Sequence, residues 1–222
     1  KPQNFITGFH RTREQFAAAI LGGAISGNDK IKFRGHTFDI TAADKKKLFA
    51  LDHPSKVSGS KQGNMFSDAF SEDALAAIEC EMQKFTGDND ELLDVTPNTI
   101  IIPNDFQLKK QVFAAIGADK DPNTANNGFN FLFGRWRVIV WSYLDKYITA
   151  GSKPWMLFDK DYNEENFGAV WFDRQALEMD SYIDRANGNN VWSGDARFTA
   201  GFNDWRAFAI GGVNGGKQLI GG

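Results

Sequence analysis

The sequence predicts an α+β fold, and three observations predict it. Some stretches carry apolar residues at helical spacing, and others are short β-branched or aromatic runs. The two kinds are mixed without a regular strand–helix–strand rhythm. No internal repeat is present. Twenty Phe and six Trp among 222 residues, with 42% hydrophobic residues overall, call for a packed body and exclude a disordered chain.

Taken in order, Thr12 to Leu21 reads as a short helix, with Thr12 as N-cap and Phe16, Ala19 and Ile20 on one face. Gly22-Gly23 and then Gly27-Asn28 are expected to break it. Lys30 to Ile40 reads as a β-hairpin around Arg34-Gly35-His36, with Ile31, Phe33, Phe38 and Ile40 on one side. Its outward positions are Lys30, Lys32 and Arg34, so the hairpin is half polar and expected outside the core. Residues 52–66 carry few apolar side chains and read as an extended loop. Ser71 opens the clearest helix, because Leu75, Ile78, Met82 and Phe85 form one apolar stripe. Glu72, Asp73, Glu79 and Gln83 fall on the other side, Cys80 is expected to be exposed there, and Gly87 is the stop.

Thr99 to Ile102, between Pro97 and Pro103, reads as a buried strand. Asn104 is expected to cap a helix reaching Ile116, with Leu108, Val112, Phe113 and Ile116 inward. A polar loop is expected at 118–130. Phe131 to Trp141 is apolar on both faces and reads as a central strand; Trp155–Phe158 and Ala169–Phe172 read as further strands. Asn187-Gly188 marks a hairpin turn, and Arg197 to Ile210 reads as a strand pair before a Gly-rich end.

Cys80 is the single cysteine, which excludes an intrachain disulfide and a Cys-based zinc site and fits a reducing compartment. The longest apolar run, Phe16 to Ile25, is far short of the ~18 residues a membrane helix needs. Neither a secretory leader nor a membrane partner is expected. The net charge of -3 is unevenly spread. Residues 1–62 hold 11 Lys/Arg against 5 Asp/Glu, whereas residues 63–95 hold Lys84 against 9 acids. These segments are either solvated faces or two faces that meet, within one chain or between copies.

Motifs that would carry chemistry are incomplete. Gly211 to Lys217 fits a phosphate-loop frame, but Gln218 stands where Ser or Thr must hold Mg²⁺ and no helix has room to follow. Asp159, Asp161 and Asn163 open like an EF-hand loop, but Glu164 occupies the obligatory Gly position and Val170 the bidentate Glu position. His10, His36 and His53 lack metal-ligand spacing, and a solvated or hydrogen-bonded His53 is favoured over a ligand or base. The carboxylates from Asp159 to Glu165, near Trp155 and Trp171, are the one place a glycosidase pair could sit. Packing is the better expectation for both Trp. No basic surplus or aromatic strand signature points to sequence-specific nucleic-acid reading. Neither a cofactor nor a metal is expected, and no reaction is offered.

Several fragments, in order, resemble the Mu-like branch of tailed-bacteriophage major head proteins. They are Arg13-x-x-Phe16-Ala17-Ala18-Ala19-Ile20-Leu21, Lys47-Leu48-Phe49, Asp52-His53-Pro54, Gly63-Asn64-x-Phe66 and Ser71-x-x-Ala74-Leu75. Further on come Pro97 to Pro103, Arg137 to Val140 with Tyr143-Leu144-Asp145, Trp155-x-Leu157, and Arg197-Phe198-x-x-Gly201-Phe202-x-Asp204-Trp205-Arg206. The resemblance implies the Hong Kong 97-type capsid fold and a non-enzymatic shell subunit. It implies a short N-terminal arm and helix at 1–22 in place of the family's long arm, and an extended loop at 23–70. A peripheral domain with a long spine helix would take 71–103 and 166–210, an axial domain 104–165, and a Gly-rich tail 211–222. The implied partners are further copies in hexamers and pentamers, a portal, a scaffold or maturation protease, and packaged double-stranded DNA read without sequence. Read with the charge pattern, the inter-subunit contact candidates are Lys30, Lys32, Arg34, Lys56 and Lys61 on the basic side, and Glu72, Asp73 and Glu79 on the acidic side. The half-polar 23–70 segment is expected to gain its order by lying across a neighbour. An encapsulin-like compartment, a carbohydrate-active enzyme and a sugar-binding module are the rival readings.

Overall fold

The computed structural model describes residues 2–117 and 129–220. The expected polar loop at 118–130 lies outside the described residues except for its last two. The fold is α+β, and it is built on one small mixed sheet.

That sheet comes from four four-residue strands: β5 (Thr99–Ile102), β6 (Arg137–Val140), β7 (Trp155–Phe158) and β10 (Phe208–Gly211), in the order β10-β7-β5-β6. β5 and β10 are fully buried and β7 nearly so, which is why their sequences are continuous apolar runs without alternation. β6 pairs only with β5, in parallel, and is therefore an edge. The central strand expected from Phe131 to Trp141 is thus shortened and moved to the rim. The phenylalanines before it form a turn, and only Arg137 onward reaches a pairing partner. The expected pair from Arg197 to Ile210 is also divided. Its first half belongs to a separate hairpin and its second half, β10, joins β7.

Helix α1 spans Pro2–Ile25, twice the expected length. It ends at Gly27, whose φ of 71° closes a Schellman motif: the amide of Asn28 donates to the Gly23 carbonyl and that of Gly27 to the Ala24 carbonyl. Gly22 and Gly23 do not break it. A Cβ on Gly22 would collide with the Cβ of Tyr147, and one on Gly23 with the Ile31 side chain. These glycines let the 3-10 helix Ser142–Lys146 and its cap, and strand β1 (Lys30–Phe33), approach the helix axis closely. Close packing has overridden the local helix-breaking tendency.

β1 and β2 (His36–Asp39) form the expected hairpin, turning at Arg34-Gly35, both with positive φ as a two-residue hairpin turn requires. Ile31 and Ile40 are buried, and Phe33 and Phe38 pack on Phe16 of α1 at ring distances of 5.2 and 4.8 Å. The following segment is equally tied down. It contains the short strands β3 (His53–Pro54) and β4 (Lys61–Gln62), and it buries His53, Ser55, Asn64 and Phe66. The Asn64 amide donates to the carbonyls of Leu48 and Phe208 and accepts from the Ala50 amide, riveting the loop to β10. The expectation that residues 23–70 need a neighbour for their order is therefore corrected. A few buried polar anchors do what a run of apolar residues was thought necessary to do.

Helix α2 (Glu72–Met82) begins as expected, with the Ser71 hydroxyl accepting from the Ala74 amide. It is eleven residues long, so the longest helix is α1. Helix α3 (Phe106–Gly117) is capped by Asp105, whose carboxylate accepts from the Leu108 amide, one residue after the expected Asn104. Its inward residues are Leu108, Val112, Ala115 and Ile116, while Phe113 faces out. Asp159 caps the short helix α4 (Lys160–Asn166).

Among the described residues two long strands, β8 (Ala169–Ile183) and β9 (Asn190–Phe202), pair only with each other, in the hairpin expected at Asn187-Gly188. Register shifts near Gln175 increase the ribbon's twist. Its base is bolted to α1. Arg13 grips Asp173 through two 2.9 Å bonds and lies 4.7 Å from the Trp171 ring, which stacks on Phe198.

Candidate functional site

The acids that could have formed a hydrolytic pair do structural work. Asp159 is buried and accepts from the amides of Tyr162 and Thr96. Burial pushes its carboxyl above the ordinary range, against the pull of those donors. Asp161 accepts from the Asn98 side-chain amide. Trp155 is in the core with its Nε1 donating to the Asp68 carbonyl, and Trp171 clusters with Phe198, Phe16 and Arg13. The buried Trp155 offers no face to a sugar. Among the described residues no group of three or more His, Cys, Asp or Glu could hold a metal ion, and no helix is long and apolar enough to cross a membrane.

His53 is fully buried. Its Nδ1 lies 2.6 Å from the Asp44 carboxylate and its ring stacks on Trp205 at 4.1 Å, nearly parallel. Burial lowers its pKa although Asp44 pulls the other way. It is a hydrogen-bonded core histidine, as favoured.

The eight contact candidates divide. Lys30, Lys32 and Arg34 are exposed along the β1–β2 hairpin, with Arg34 donating to the Thr12 hydroxyl of α1. Lys61 and Asp73 are exposed and Glu72 is half-buried. Lys56 binds Asp88 at 2.7 Å, and this bond holds the Asp88 carboxyl below its usual range. So part of the basic and acidic segments do meet, inside one chain. Glu79 departs from its expected exposed face: it is buried and ion-paired with Arg135. Four residues after buried Leu75 and three before buried Met82, it lies at the margin of the apolar stripe, whereas Asp73 and Cys80 on the opposite face are exposed.

The surface has apolar features the sequence reading missed. Phe106 and Phe113, one heptad apart on α3, are exposed, as are Phe129, Phe131 and Phe133. Asn130 and Leu132 between them are buried, and the Asn130 amide donates to the Ala115 carbonyl. Alternation could not reveal this, because Leu132 is apolar like its neighbours and residues 131–134 form a turn in which the Phe side chains, not Asn130, face outward. At the far end of the ribbon Tyr182, Ile183 and Trp192 are exposed. Among the described residues the β8–β9 ribbon pairs along neither outer edge.

A family model described as phage capsid protein matches residues 2–211 of the chain. The chain belongs to the phage capsid protein family. No curated protein matches it. The match ends where β10 ends, so it takes in every helix and strand of the capsid protein described above. The tail beyond lies against residues 65–68. Lys217 bridges to Phe66 and binds Glu81, and the Asp68 carboxylate accepts from the amides of Leu219 and Ile220.

Proposed function

We propose that this capsid protein is the major head subunit of a tailed phage of the Mu-like branch. In this reading copies assemble through hexamers and pentamers into an icosahedral shell that encloses double-stranded DNA. The observation that carries the reading is the family match across residues 2–211, together with exposed aromatic surface that a lone subunit would leave in water. The subunit is a structural one: its paired acids are spent on helix capping and on holding loops.

The Hong Kong 97-type plan distributes these pieces as an extended loop at 23–70, a peripheral domain at 71–103 and 166–210, and an axial domain at 104–165. Assembly takes place in the host cytoplasm with a portal and a scaffold or maturation protease. The basic hairpin residues Lys30, Lys32 and Arg34, with Lys61, face a neighbour, and Asp73 and Glu72 supply acidic partners. Glu79 and Lys56 act within the subunit. The test is negative-stain microscopy of the purified chain across protein and salt concentration. Closed shells, or rings of five and six, are expected. A chain that stays monomeric at every condition overturns the proposal, and shells that enclose protein instead of DNA move it to an encapsulin-like compartment.

A further inference from the structure

Asparagine followed by glycine is the dipeptide readiest to lose ammonia, because glycine has no Cβ to hold its backbone nitrogen away from the asparagine side chain. The chain carries three such pairs, at 127-128, 187-188 and 214-215. The first lies outside the described residues. The other two both sit in exposed turns whose glycine has a positive φ, so backbone conformation does not separate them. Hydrogen bonding does. At 187-188 the asparagine Oδ1 accepts from the Asn189 amide at 2.9 Å, and the Gly188 amide donates to the Asp184 carbonyl at 2.8 Å. Both reacting groups are held. At 214-215 neither the Asn214 side chain nor the Gly215 amide has a hydrogen-bond partner among the described residues. Asn214 also lines an open cavity of about 920 Å³, so water reaches its side chain.

The turn at 213–216 carries a strap. On its near arm the Val213 amide donates to the Phe66 carbonyl. On its far arm the Lys217 amide donates to the Met65 carbonyl, and the Lys217 carbonyl accepts from the Ser67 amide. Beyond the turn Lys217 binds Glu81 of α2, and the Asp68 carboxylate holds the amides of Leu219 and Ile220. The layers are in close contact: a Cβ on Gly216 would come within 2.3 Å of the Phe66 backbone. Both arms are therefore stitched to residues 65–67, and the number of backbone atoms in the turn sets the register between them.

We propose that Asn214 is a self-modification site whose reaction releases this strap. Solvent base removes the Gly215 amide proton, and that nitrogen attacks Cγ of Asn214. The N–Cγ bond forms, the Cγ–Nδ2 bond breaks, and ammonia leaves with a proton returned by solvent. Water then opens the five-membered imide. Breaking the new N–Cγ bond leaves an aspartate; breaking the original peptide C–N bond leaves an isoaspartate, whose main chain runs through Cβ. One water is consumed and one ammonia released, with no change of oxidation state. Both products carry a new negative charge. The isoaspartate also lengthens the turn by one C–C bond, about 1.5 Å. Backbone hydrogen bonds tolerate a spread of only roughly 0.5 Å, so the two arms can no longer both keep their bonds to residues 65–67.

The experiment ages the purified full chain at mildly alkaline pH and maps its peptides by mass spectrometry. Asn214 should convert faster than Asn187 by about fivefold or more, the worth of one net hydrogen bond. In concentrated urea, where neither turn survives, the two rates should converge. Equal rates in the folded chain overturn the assignment. So does an undiminished preference in urea, which would trace it to the preceding residues, Val213 and Ala186, and not to the fold. Brief trypsin digestion reads the strap separately. Cleavage after Lys217 should be several-fold faster in aged than in fresh protein. Asn214→Gln, whose longer side chain closes its ring slowly, should age without that gain. Conversion at Asn214 with unchanged cleavage overturns strap release, and an equal gain in Asn214→Gln overturns its link to this residue. Each of these failures leaves the capsid reading standing.

Discussion

His53 joins Asp44, Trp205 and the loop riveted by Asn64, so its protonation state reports on the whole 41–66 segment. Burial favours the neutral ring, and its Nε2 has no hydrogen-bond partner among the described residues, so an added proton there would point at nothing. The unfolded chain binds a proton near pH 6.5 and the folded chain only at lower pH. Unfolding therefore takes up protons in that window, and stability rises with pH through it and is complete above about 6.5. Denaturant midpoints measured from pH 5 to 8 should fall on the acid side, and the slope should flatten in His53→Ala. A second residue-scale pair is Glu79 with Arg135, a buried carboxylate held by a half-exposed guanidinium. Arg135→Ala should cost about 3 kcal/mol by stranding the carboxylate. Adding Glu79→Gln should return more than half of that loss; an additive pair of losses would show the two do not act together.

At the scale of elements, α1 separates local tendency from packing. Gly8 meets nothing within 4 Å, whereas Gly22 abuts Tyr147. Gly8→Ala should stabilise the subunit by about 0.5–1 kcal/mol, the ordinary helix gain. Gly22→Ala should destabilise it by about 1–3 kcal/mol, because the added methyl has nowhere to go. Thermal melts of the two variants moving in the same direction would contradict this account. The same helix shows where sequence reading stopped short. Its Schellman end at Gly27 was legible as Gly27-Asn28, but Gly22-Gly23 carried the same local signal for the opposite purpose. Asp105 against Asn104 is a smaller case: two adjacent residues of equal capping ability, chosen by where β5 ends. Among the contact candidates, the exposure of Lys30, Lys32 and Arg34 was readable from alternation alone. Glu79 was misassigned to the polar side: it stands i+4 from Leu75 and i−3 from Met82, at the edge of the buried stripe, where a carboxylate is tolerated only because Arg135 pairs with it.

On the scale of the whole molecule, the basic and acidic segments are partly satisfied internally through Lys56, Asp88 and Arg206. Among the described residues the hairpin triad makes no salt bridge, Arg34 donating instead to the Thr12 hydroxyl. Reversing Lys30, Lys32 and Arg34 together should leave the unfolding midpoint of the disassembled subunit within about 0.5 kcal/mol of the parent. It should suppress assembly, and raising the salt of the parent toward 1 M should have the same sign, because screening acts on exposed charges at that distance. Sedimentation velocity reads both, and unchanged assembly after reversal would remove electrostatics from the contact.

The order of apolar runs, caps and turns in this chain was enough to set the α+β class, the buried strands, the Ser71 cap, the two hairpin turns and the phage capsid family. Those features depend on neighbours a few residues away or on short fragments kept in order. Tertiary structure alone decided that α1 runs straight through two glycines, that residues 30–66 lie on their own subunit, and that β9 and β10 part into different sheets. It also decided that the ribbon is the element left reaching outward. Each of these turns on which surfaces meet across separations from under ten to more than a hundred residues of chain, and the free energy of such meetings is not written in any local pattern.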